Sequence, residues 1–140
     1  MFSKIVILVF IALESSNVLA MYFAPGSKYA NAVGVFTAWE KSKQTPEIHD
    51  FIRYLVNWVA GVKLMVLFLL AAITLFGNPD MLRLSLVALS LATLSFFWRL
   101  FPLFRKMDRN AQIAPKNYSI MVGAMILGFI VMFVLAAVFG

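Results

Sequence analysis

The chain has 140 residues, of which 63% are hydrophobic and only 13% charged, with no cysteine and a formal net charge of +6. A water-soluble domain carries about a quarter charged residues, so this surplus of apolar side chains has to face lipid. Disulfide scaffolds, thiolate metal sites and disorder are excluded by the same figures.

Four apolar runs follow in chain order: Ile5 to Phe23, Phe51 to Phe76, Met81 to Trp98 and Ser119 to Phe139. Each is about 18 to 26 residues long, and about 20 residues of helix cross the hydrocarbon. Helices are indicated because the runs exceed a barrel strand, lack its alternation, and must satisfy their backbone internally. The predicted fold class is all-α, an integral membrane four-helix bundle forming a single transmembrane domain over residues 1–140.

The first run resembles a secretory signal, with Lys4, the apolar stretch Ile5 to Leu13 and Val18-Leu19-Ala20. Cleavage after Ala20 would place the most basic connection outside, so the helix is expected to be retained. Glu14 interrupts its centre and Asn17 follows one turn later. Pro25-Gly26-Ser27 stops the helix. In the long first loop, Tyr29, Ala32, Val33, Phe36 and Trp39 recur at helical spacing and predict a short interfacial helix.

The second helix is predicted to start at Thr45-Pro46-Glu47, with Thr45 as N-cap and Pro46 at the first helical position. His49, the one histidine, falls in its first turns and is expected to be solvated. Arg53, Asn57 and Lys63 follow. Asn78-Pro79-Asp80 repeats the start signal and leaves a tight hairpin between the second and third helices. Ser85, Ala88, Ala92 and Ser95 make a small-residue stripe on the third. After Trp98 a loop interleaves bases with aromatics, carrying Arg99, Arg105, Lys106 and Arg109. Such a segment attracts anionic phospholipid headgroups. The fourth helix has the small-residue pairs Ser119 and Gly123, Ala124 and Gly128, and Ala136 and Gly140, which predict helix contacts or a homo-oligomer.

Nine Lys and Arg residues fall in or beside the first and third loops, against Lys4 and Arg83 on the other side. Loops one and three are therefore expected in the cytoplasm of a cell or inner membrane, with both termini outside. Tyr22, Tyr54, Trp58, Trp98 and Tyr118 gather near the same ends, as interfacial aromatics do. The bases thus serve topology, and no nucleic acid partner is expected.

Glu14 and Lys63 are the candidate functional residues, because an ionised group at mid-span costs about 2.5 to 3.5 kcal/mol and calls for a partner or water. The antiparallel first and second helices place them at similar depth, as an ion pair supported by Asn17, Arg53 and Asn57. An expected Asn17–Asn57 hydrogen bond would join the helices on the cytoplasmic side. Alternatively, desolvation favours a protonated carboxyl, and Glu14 would carry protons in a transporter acting as an oligomer. No thiol nucleophile, His-rich metal site, phosphate loop or dinucleotide fingerprint is present, so neither enzyme activity nor a cofactor is expected.

The order of elements, with the Gly77-Asn78-Pro79-Asp80 turn, resembles the DoxX-like small membrane proteins. That resemblance implies a membrane accessory protein. Glu14 in the first of four helices also resembles the membrane-embedded glutamate of the small multidrug-resistance transporters, which implies a proton-coupled role. The long first loop and Lys63 depart from that family's pattern. The sequence reading is an accessory, scaffold or assembly factor without catalysis. A proton-coupled transporter and a lipid-pathway accessory using the third loop are the alternatives.

Overall fold

The computed structural model describes residues 1–140 and is helical throughout, with one isolated β-bridge and no strand. In chain order the helices are α1 (Phe2–Phe23), α2 (Thr37–Ser42), α3 (Pro46–Phe76), α4 (Pro79–Leu94), α5 (Leu100–Arg109) and α6 (Tyr118–Phe139). Four stretches are long and apolar enough to cross a membrane: α1, α3, Pro79–Arg109 and α6.

The helix starts follow local chemistry. Pro46 and Pro79 both occupy the first turn, where a missing N–H loses no intrahelical bond. Asn78 caps α4 by accepting from the Met81 N–H at 2.9 Å. Thr45 has the extended backbone of a cap but its hydroxyl makes no capping bond.

Two connections differ from expectation. One continuous helix over Tyr29 to Trp39 does not form; Asn31 and Ala32 have φ of 53° and 64°, a 3₁₀ turn covers Val33–Val35, and the α-helix of this loop begins at Thr37. Left-handed residues cannot propagate a right-handed helix. The turn closes on itself where the Gly34 N–H donates to Ser27 O at 3.2 Å. A Cβ on Gly34 would collide with the Gly26 carbonyl oxygen. Gly34→Ala is therefore expected to cost about 1–3 kcal/mol, read as a lower melting temperature in detergent; an unchanged transition would refute this close approach.

The third connection is also not a loop. α4 stops at Leu94, a 3₁₀ turn covers Ser95–Phe97, and the basic-aromatic segment forms α5. Ser95 Oγ donates back to Ala92 O at 2.6 Å, and Phe96, Phe97 and Phe101 pack mutually at the bend. Pro102 lies in the first turn of α5, so the helix restarts there without losing an interior bond.

Packing is organised in three clusters. At one end Val6 and Ile7 of α1, Leu70 of α3, Leu82 and Leu86 of α4 and Phe133, Ala136 and Ala137 of α6 form the largest. Phe10 meets the Phe133 ring edge-on at 5.1 Å, and Ser3 Oγ donates to Ala136 O at 3.0 Å, joining the two chain ends. Midway, Val18 and Met21 of α1 pack with Val56, Ala60 and Leu67 of α3 and with Ala30 of the first connection. At the far end Val35, Phe104 and Ile113 form a small core between the first and third connections. There Phe36 bridges Ile113, the Thr37 N–H donates to Gln112 O at 2.9 Å, and the Ala114 N–H donates to Val35 O at 2.9 Å.

The small residues divide. Ser119, Gly123 and Ala136 are buried in contacts of α6, and a Cβ on Gly123 would come within 2.6 Å of the Phe101 ring. Ala88, Ala92, Ser95, Ala124 and Gly128 are exposed. α4 instead buries Leu82, Leu86 and Ser90, a face rotated away from the predicted stripe, because its neighbour presents Phe133, which large side chains surround.

Candidate functional site

α1 and α3 pack along one another and bring Glu14 and Lys63 together. Lys63 Nζ donates to Glu14 Oε2 at 2.7 Å, to Asn17 Oδ1 at 2.8 Å and to Asn31 Oδ1 at 3.3 Å. An ammonium has three protons, so all of them are taken. Asn17 turns its amide the other way, and its Nδ2 donates to Tyr29 O at 2.6 Å. The first connection therefore folds in beside the pair, giving one oxygen to Lys63 and one to Asn17. The Glu14 and Lys63 side chains are 25% and 26% exposed, which limits the desolvation cost of bringing them together.

Arg53 and Asn57 lie outside this group. Both are exposed on α3 and make no side-chain hydrogen bond or ion pair, and Asn17 bonds Tyr29 O in place of Asn57. The reason is helical phase: Arg53 and Asn57 share a face, whereas Lys63 is turned roughly 80° from Arg53 and roughly 120° from Asn57. Asn31 is the member that sequence reasoning missed. Its left-handed backbone aims the amide at Lys63, and the helix expected through that stretch hid the turn.

The base-rich third connection holds a second polar group. Asp108, with its side chain 1% exposed, accepts from the Asn117 N–H at 2.9 Å, from the Ser119 N–H at 2.9 Å and from the Ser119 hydroxyl through a short bond. It thus caps the start of α6 from another helix, opposite the positive end of that helix's dipole. Arg105 Nη1 donates to Ser119 Oγ at 3.1 Å and lies 3.8 Å from Asp108 Oδ2. Of the four bases expected at headgroups, Arg105 is therefore committed inside the protein. Arg99, Lys106 and Arg109 are exposed, and Arg99 stacks over Trp98.

Asp108 lies between the apolar run that ends at Trp98 and the one that begins at Ser119. The Ser119 hydroxyl above all, with the two backbone N–H groups and Arg105, holds its carboxyl below the ordinary value of 3.8 against the opposing effect of burial. A carboxyl held low in the folded state stabilises it above the unfolded pKa. That contribution is lost as pH falls through the lowered folded value.

His49 is not free in solvent. It is half-buried, packed against Trp39 with ring centroids 4.7 Å apart and planes tilted by 55°, and its Nδ1 lies 2.8 Å from Ser42 Oγ. Ser42 Oγ also lies 2.7 Å from Trp39 O, to which its hydroxyl donates. The contact fastens α2 to α3.

Two shallow surface grooves are present. One of about 230 Å³ runs beside Lys63 between Leu55, Trp58, Val59 and Val62, and one of about 190 Å³ is bounded by Val33, Phe36, Ala38, Trp39 and Ile52. No protein family model, curated protein or solved structure matches the chain.

Proposed function

We propose that the chain is a small multi-pass membrane protein acting as an accessory, scaffold or assembly factor without catalysis. In this reading its four long helices form a membrane-embedded bundle. The ends carrying α2 and α5 face the cytoplasm and both termini face outside. Four apolar helices support the membrane setting. The gathering of most Lys and Arg residues on the first and third connections supports the orientation. A DoxX-like accessory role is what the order of elements implies.

One observation favours a scaffold over a proton carrier: Lys63 holds Glu14 at 2.7 Å while its other protons go to Asn17 and Asn31. A carrier carboxylate has to exchange partners during transport. Here it is one member of a saturated group joining α1, α3 and the first connection, which suits fixing a helix pair in place.

The test combines extraction from native membranes in mild detergent with reconstitution in vesicles loaded with a pH-sensitive dye. The expected result is recovery of the chain in a particle of fixed stoichiometry, with no proton flux above empty vesicles. Proton flux that disappears in Glu14→Gln, with the protein still folded, would replace the scaffold by the transporter.

A further inference from the structure

The outer face of α5 has no structural task inside the protein, and its chemistry is uniform. The inner face is occupied: Phe104 lies in the far-end core, Phe101 meets Gly123, Asp108 caps α6 and Arg105 binds Ser119. On a helical wheel Arg99, Leu103, Lys106 and Arg109 fall on the opposite side from Phe104 and Asp108. Those four are exposed, as are Trp98 and Leu100.

The three exposed bases also lack counter-charges. The one acid of α5, Asp108, is buried and already bonded, and the protein's ion pairs are Glu40 with Lys43, Glu14 with Lys63 and Asp108 with Arg105. Arg99 and Lys106 are seven positions apart, roughly 10 Å along the axis. Beside them Trp98, Leu100 and Leu103 are 75%, 55% and 53% exposed. An apolar edge next to unpaired cations, immediately after the apolar run that ends at Trp98, matches the boundary where acyl chains meet phosphates.

We propose that this face of α5 binds anionic phospholipid headgroups through Arg99, Lys106 and Arg109, with Trp98, Leu100 and Leu103 seated in the acyl region below them and Arg105 taking no part. Guanidinium groups hold phosphodiester oxygens in paired hydrogen bonds, and the packed inner face keeps the helix from reorienting. The inference rests on reading the apolar helices as membrane spans.

The experiment places the purified chain in nanodiscs of mixed phosphatidylcholine and phosphatidylglycerol and measures, by native mass spectrometry, which lipid stays bound. The wild type is expected to retain phosphatidylglycerol preferentially. Arg99→Gln/Lys106→Gln/Arg109→Gln is expected to weaken that preference about five-fold per base, or roughly 100-fold together. Arg105→Gln is expected to leave it intact while lowering the melting temperature. The charge-keeping Arg99→Lys/Lys106→Arg/Arg109→Lys variant retains it and controls for folding. Equal retention by the wild type and the triple glutamine variant, or loss on Arg105→Gln alone, would overturn the proposal. Release of the chain from native membranes by alkaline carbonate would instead overturn the membrane reading beneath it.

Discussion

Lys63→Met is expected to destabilise the protein by about 2 to 4 kcal/mol, and more than Glu14→Gln does. The asymmetry comes from the geometry of the group. Lys63 is its hub, donating to Glu14, Asn17 and Asn31. Removing it leaves three oxygens without their donor, one of them charged. Glu14→Gln removes one charge but keeps an amide oxygen where the carboxylate accepted, and the ammonium retains its two asparagine contacts. The double variant Glu14→Gln/Lys63→Met is expected to recover part of the loss, because an unpaired charge no longer remains. A coupling of about 1–3 kcal/mol between the two sites is the expected size for residues in one network. Thermal unfolding in a single detergent, run on all four proteins, measures it. Strict additivity would mean that the 2.7 Å contact contributes nothing to the folded state.

The second large effect is expected at Asp108. Asp108→Ala removes one acceptor from two backbone N–H groups at the start of α6 and from the Ser119 hydroxyl. It also leaves Arg105 with only that hydroxyl. Donors buried without acceptors cost far more than the net value of the bonds they made. Frayed α6 residues near Tyr118 and loosened packing at Phe104 are expected, with a melting temperature lower by several degrees. Asp108→Asn keeps one acceptor oxygen and is expected to fall between. Wild-type stability should decline below the ordinary carboxylate value of 3.8, as protonation removes the charge that these donors hold. An acid transition of the same midpoint in Asp108→Asn would assign that decline to another group.

How much of this was legible depended on how local each signal is. The spans could be read because apolar runs, Pro46 and Pro79 act on their own neighbourhoods. Glu14 and Lys63 stood out because a charge inside an apolar run is anomalous wherever it lies. Asn31 did not, since its role needs a left-handed turn that no residue in that stretch demands. The segment after Trp98 reads as a loop because its bases look solvated. Only the contacts of Phe101 with Gly123, of Arg105 with Ser119 and of Asp108 with the start of α6 show why it is a helix. The bridge from Phe36 to Ile113 joins distant parts of the chain, and no periodicity within either part reports it.

The placing of the charged group also bears on how the chain is made. Glu14, Asn17, Asn31 and Lys63 all belong to the first half, and the pair closes as soon as α3 lies beside α1. Glu14 waits only for α3, and neither charge depends on α4 or α6 for its partner. The Phe36–Ile113 bridge and the bond from Ser3 to Ala136, by contrast, form only after the later helices arrive. The two mid-span charges are thus balanced within the α1–α3 pair, independently of the helices that follow it in the chain.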